Sequence, residues 1–316
     1  MKSAIYLPGP SYFDEQVKTY AGWWNILEIQ RRAIEDAGYA VSVPDVAEEC
    51  IDRASSFSKI ASWSLTASRG VVDLDPDLVV GAPSYGHYSF MRAIGRHGFT
   101  PPCACVAYVW NNADWYREKQ LRPEYAMYGQ EMPTQRVNTI MNEAALEYCD
   151  ALIACSDFVA GTWSKVFPES DIKIARWGVD SEVFHPGDKD PRFTILFVGG
   201  DPIRKGLVYL LRAIPELFKE YDFQIIVVGC KVGAGHSSIT ELGMIPHADM
   251  PALMRRAHVL VLPTLEDGIA VSVQEAMASG VVPITTHECA EVFEDKISGF
   301  EVPYRSTEEI VKRLRG

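Results

Sequence analysis

Residues 259–286 read VLVLPTLEDGIAVSVQEAMASGVVPITT, and the order of parts in this stretch decides the fold. A strand-sized apolar run ends at Pro263, and a polar loop follows with Glu266, Asp267 and Gly268. A helix is expected over about 271–279, with Gly280 where a left-handed cap is wanted. A second apolar run then begins. Strand, loop, helix and returning strand make one parallel unit covered by its helix. The loop presents acidic side chains and backbone N–H groups at a helix N-terminus. Unpaired N–H groups and the helix dipole favour negative charge there, an arrangement that suits a diphosphate.

Outward from this unit the same alternation fills the chain. Strands are expected at 3–7, 39–43, 77–81, 103–109, 151–155 and 172–175, with helices at 23–37 and 138–148. Residues 185–192, HPGDKDPR, are polar, with two prolines and a glycine, and read as a linker. The alternation restarts with a strand at 193–198, a helix at 207–221 and a strand at 223–229, and two more units end at Pro303. Two doubly wound domains follow, an N-terminal one over 1–185 and a C-terminal one over 193–316, joined by residues 186–192. Ligands in such sheets bind outside the carboxyl ends of the strands, which places the site in a cleft between the domains. After Pro303 only a short helix over 307–314 is expected.

Composition narrows the partners. The chain has 316 residues, 47% of them hydrophobic and 23% charged, ordinary values for a globular enzyme. Formal net charge is −12, and residues 1–185 and 186–316 are each acidic, which argues against general nucleic-acid affinity or a polybasic membrane face. The start, MKSAIYLPGP, reads as a first strand rather than a secretory leader, and no apolar run reaches membrane length. Seven cysteines, an odd number without CxxC spacing, point to no disulfide framework or zinc site and to a reduced, cytoplasmic compartment. Asp73-Leu74-Asp75 mimics an acidic metal motif but precedes a strand, so it reads as a surface turn; no metal or other cofactor is expected.

The deciding stretch resembles the retaining glycosyltransferases of the GT-B fold, the family-4 (group 1) type. Their pattern of E-G-F-G, three residues, then Glu-Ala-Met-Ala-x-Gly is matched by Asp267-Gly268-Ile269-Ala270 and Glu275-Ala276-Met277-Ala278-Ser279-Gly280. The resemblance implies that Glu275 holds ribose hydroxyls and that Asp267 contacts the donor sugar. Backbone amides over Gly268, Ile269, Ala270 and Val271 are implied to receive the diphosphate. Asp267 is one methylene shorter than the usual Glu, and Glu266 in its place is the alternative register.

Phe197-Val198-Gly199-Gly200-Asp201-Pro202-Ile203-Arg204-Lys205-Gly206 is similar to the family's F-V-G-R followed by Lys-Gly. Lys205 is thereby implied to neutralise the leaving diphosphate over a backbone cradle at Gly199 and Gly200. The family arginine falls on Gly200, and Arg204 is the substitute at hand. Residues 174–186 are similar to the family's N-G-V-D…F-x-P entry into the linker, and Leu242-Gly243-Met244-Ile245-Pro246-His247 resembles the strand-loop that reads the base, with Ile245 in contact. The resemblance covers about residues 138–303.

The first 130 residues match in layout alone. Gly9, in the first strand–helix loop, is placed near the sugar or acceptor. His87 and Asn111 each have two readings, a sugar contact or an ordinary loop or packed residue, and Trp110 and Trp115 stand in loop-like surroundings where a ring could face a sugar. The implied activity is metal-independent, retaining transfer of a sugar, a hexose by class, from a nucleotide diphosphate-sugar to the hydroxyl of a glycan, lipid or small-molecule acceptor. Its rivals are a nucleotide-sugar-binding partner subunit with a decayed site, and an epimerase or phosphorylase of the same architecture.

Overall fold

The structure, a computed structural model, describes residues 2–7, 23–43, 76–83, 89–91, 103–133, 142–168 and 171–315. It divides into two compact units, 1–114 with 133–176, and 115–132 with 177–316.

The first unit holds β1 (Lys2–Leu7), α1 (Trp23–Asp36), β2 (Tyr39–Ser42), β3 (Leu78–Gly81), β4 (Ala104–Val109), β5 (Ala151–Ala154), α3 (Asp157–Trp163) and β6 (Ile172–Ile174). Among the described residues its sheet runs β2-β1-β3-β4-β5-β6, every pair parallel. Val79 and Val80 of β3 are both buried although they point to opposite faces, as expected of a sheet covered on both sides. Ser156 caps α3, its hydroxyl accepting from the Val159 N–H at 3.1 Å. The expected strands stand within two residues of their bounds. Of the expected helix 138–148, residues 142–146 are helical. Gly9, His87 and Asp73–Asp75 lie outside the described residues.

The second unit holds β7 (Phe193–Val198), α4 (Leu207–Leu217), β8 (Phe223–Val228), β9 (Ile239–Gly243), α5 (Met250–Arg256), β10 (Val259–Leu262), α6 (Val271–Ala278), β11 (Val282–Thr285), α7 (His287–Ala290), β12 (Phe300–Glu301) and α8 (Thr307–Arg315). Its parallel sheet runs β12-β11-β10-β7-β8-β9, so the order reverses around β7 and β10. That reversal is the topological switch point of a doubly wound sheet, and the loops after β7 and β10 flank it. The core joins Leu196 and Phe197 of β7, Leu210 and Ile214 of α4, Ile225 and Val227 of β8, and Leu260 and Leu262 of β10.

One element departs from the sequence reading. Residues around Trp115 form not a loop but a helix, α2 (Asp114–Met127), and residues 115–132 belong with the second unit. Leu121, Tyr125 and Met132 are part of that unit's core. Glu124, 1% exposed, is bonded by the Arg305 guanidinium and by the Tyr209 hydroxyl at 2.9 Å. The division therefore differs from the contiguous one expected at 185–192: the second unit resumes at Trp177 and takes in a helix from the N-terminal half. Among the described residues no helix is long and apolar enough to cross a membrane.

Candidate donor site

The site is assembled where β7, β10 and β11 end. After β7 the chain turns tightly because the Asp201 carboxylate accepts from its own loop, Ile203 N–H at 3.1 Å and Arg204 N–H at 3.0 Å. The turn leads through Gly206, at φ +69°, into α4. A Cβ there would stand 2.0 Å from the Pro263 carbonyl oxygen, so this position admits glycine alone. Gly199 clears a path in the same way, since its Cβ would meet Lys205 Cγ at 2.7 Å. Gly200 differs, for a Cβ would find only the Gly229 carbonyl oxygen, at 3.8 Å.

The two loops are stitched through Arg204, whose carbonyl accepts from Leu265 N–H at 2.8 Å and from the Thr264 hydroxyl at 3.2 Å. That stitching brings four charged side chains together. Lys205 Nζ donates to Asp267 Oδ2. Arg204 Nη1 donates to the Glu266 carbonyl at 3.2 Å and reaches Glu266 Oε2 at 3.5 Å and Asp267 Oδ1 at 3.8 Å. Both acids of the loop are thus held inward, Asp267 chiefly by Lys205 and Glu266 by Arg204, so both members of the register alternative stand at the same place. Glu266 is 1% exposed, and burial raises its carboxyl pKa against the pull of Arg204. At Asp267 burial pushes up too, but Lys205 and Arg204 outweigh it and hold the carboxyl below its usual range.

Gly268, Ile269 and Ala270 are buried, and Gly268 N–H donates to Asp267 Oδ1 at 3.1 Å. α6 starts at Val271 without a side-chain cap, its Ncap Ala270 having no side chain that can accept. Glu275, on α6, is not brought to the lysine; its Oε1 pairs with His247 Nε2 at 2.7 Å, and the His247 ring packs on Phe184 at 5.7 Å. Ile245 is half-buried against the core beside that pair in sequence. In the first unit, Trp110 and Asn111 follow β4 at its carboxyl end. The Trp110 indole N–H is buried without an acceptor among the described residues, and the Asn111 carbonyl accepts from Trp163 Nε1 at 2.9 Å.

Several neighbours escaped the sequence reading. Glu288, fully buried on α7, accepts from the Asp267 N–H, from the Tyr116 hydroxyl at 2.7 Å and from the Tyr304 hydroxyl at 3.1 Å. Burial pushes its carboxyl up to about 8, with the charges of Glu266 and Asp267 adding to the rise and the Tyr116 and Asp267 bonds opposing it. Tyr125 of α2 donates to Asp201, and Arg117 Nε lies 3.9 Å from Glu266 Oε2. None of these contacts carries a sequence signal, because each is made across the fold by a single residue.

A family model described as glycosyl transferases group 1 matches residues 192–316. The chain is 29% identical over 181 residues to the MMP alpha-(1->4)-mannosyltransferase of Mycolicibacterium hassiacum, covering 53% of this chain and 42% of that protein. It is 25% identical over 175 residues to the GDP-mannose:cellobiosyl-diphosphopolyprenol alpha-mannosyltransferase of Xanthomonas campestris, covering 51% and 46%. The matches thus span less than half the length of these curated relatives. Sucrose-phosphate synthase from Thermosynechococcus elongatus has a similar structure, with a TM-score of 0.76 at 14% identity over 99% of this chain and 89% of that one. The chain therefore has the GT-B fold, and its residues 192–316 are a domain of the group 1 glycosyltransferases.

Proposed function

We propose that the protein is a metal-independent, retaining glycosyltransferase that moves a hexose from a nucleotide diphosphate-sugar to an acceptor hydroxyl in a reducing, cytoplasmic setting. The observation that carries this reading is the Lys205–Asp267 and Arg204–Glu266 constellation at the switch point of a group 1 domain. A donor diphosphate brings more charge than Asp267 does, so it draws Lys205 and Arg204 off the carboxylates by stronger charge-assisted bonds. The freed acids then face the sugar hydroxyls as acceptors. As the bond from anomeric carbon to phosphate oxygen breaks, negative charge grows on the diphosphate, and the two cations stabilise it in a water-poor pocket. Glu275, held by His247, accepts from the ribose hydroxyls. The acceptor proton leaves with the diphosphate.

One observation favours the rival of a binding subunit: Lys205 and Arg204 are already neutralised by carboxylates in this state. The test is a thermal-shift panel of nucleoside diphosphates and their sugars in EDTA, followed by transfer assays with the nucleotide that binds. Binding to the native state raises Tm by mass action. We expect one nucleotide to raise Tm, the shift to vanish in Glu275→Ala, and sugar transfer to persist in EDTA. Binding without turnover on any acceptor class favours the subunit; no shift with any nucleotide overturns the donor site.

A further inference from the structure

The contacts of α2 concentrate on one place. Tyr125 reaches Asp201 in the loop after β7, Arg117 reaches Glu266 in the loop after β10, and Tyr116 reaches Glu288 after β11. These loops follow neighbouring parallel strands of one sheet, at the end where ligands of such sheets bind. α2 is thus laid along the rim of the candidate donor site, with Arg117 on its inner side. The Arg117 side chain is 14% exposed, whereas Arg122 on the same helix is 62% exposed and pairs with Glu118 at the surface.

Arg117 holds Glu266 loosely. Its Nε stands 3.9 Å from a carboxylate oxygen that Arg204 also approaches at 3.5 Å, both outside the range of a strong charge-assisted bond. Two guanidinium groups therefore share one buried carboxylate, and Lys205 completes a set of three cations around residues 266–267. A largely buried guanidinium that stands 3.9 Å from its carboxylate is suited to a phosphate, whose oxygens match its planar fork.

We propose that Arg117 is a third phosphate-binding residue of the donor site, contributed by the N-terminal half of the chain and engaging the diphosphate of a nucleoside diphosphate together with Lys205 and Arg204. The inference rests on the donor-site reading above. Its consequence is selectivity for two phosphates over one, because a further cation is added beyond the pair on the 204–205 turn.

Calorimetric titration tests it, with UDP, GDP, ADP and dTDP as probes and then the monophosphate of whichever base binds. We expect Arg117→Ala to weaken the diphosphate by about tenfold or more and the monophosphate by no more than about twofold. Arg117→Lys is expected to fall between, with Tm as the check on folding, and Arg122→Ala to match the wild type. The structural alternative is that Arg117 only neutralises Glu266; then Arg117→Ala with Glu266→Gln recovers wild-type affinity, which overturns the proposal. Equal binding of the diphosphate by wild type and Arg117→Ala also overturns it while leaving the donor site standing. A wild type that binds none of the four sinks both.

Discussion

At the scale of single residues, the 199–206 turn shows how unequal its glycines are. Gly206 sits at positive φ against a backbone oxygen that cannot yield, whereas Gly200 has ordinary space around it. Gly206→Ala is expected to cost at least about 2 kcal/mol, and Gly200→Ala to stay within about 0.5 kcal/mol. Chemical denaturation of the two variants checks the contrast, and equal stabilities would contradict the geometry. Glu288 gives a pH prediction. Its folded-state pKa is raised from 4.5 to about 8, so its stabilising contribution is complete below 4.5 and is lost as pH rises through about 8. Across that window the wild type should lose stability relative to Glu288→Gln, by a Tm difference on the order of several degrees. Parallel Tm-against-pH curves for the two proteins would refute it. Lys205 and Asp267 were singled out in the sequence because the loops carrying them resemble the motifs of a known family, and the structure brings the two side chains together. Glu288 was not, since a single acid on a four-residue helix has no pattern around it.

At the scale of elements, the strands and most helices could be read because their apolar residues recur with the right period. α2 could not. Its inward residues include Tyr116, Glu124 and Tyr125, whose polar tips find partners across the unit, so no apolar stripe marks the helix. Pro123 within it also reads as a breaker. Yet Leu121 is fully buried in the second unit's core. Leu121→Ala is expected to destabilise by about 2–5 kcal/mol, the range for emptying a leucine-sized space in a core. Urea titration measures it, and a loss below about 0.5 kcal/mol, the surface range, would mean that α2 is not part of that core.

At the scale of the molecule, two parallel sheets were foreseeable from repeated strand–helix alternation, but the assignment of 115–132 to the second unit was not. Contiguous division is what composition suggests, because the polar run at 185–192, with two prolines and a glycine, reads as a linker. The structure has the chain leave the first unit at Asp114, re-enter it at Pro133 and leave finally after Arg176. Residues 177–316 expressed alone should therefore be less stable than in the whole chain. A peptide spanning 115–132 should raise their Tm in proportion to its saturation, and the same peptide with Leu121→Ala should fail to. A fragment indifferent to both peptides would show that the domain is self-sufficient.

Vectorial synthesis gives α2 a further meaning. Residues 115–132 emerge long before the segment they pack against is complete. At 5–20 residues per second, translation of residues 133–316 takes roughly 10–40 s. For that interval Leu121 and Tyr125 have no core to enter, while the first unit already has most of its strands. The nascent chain thus carries an exposed helix-forming segment between two parts of one folding unit. Polar tips on Tyr116, Glu124 and Tyr125, bonded across the unit once it is folded, offer water a partner in the meantime that an ordinary apolar stripe would lack.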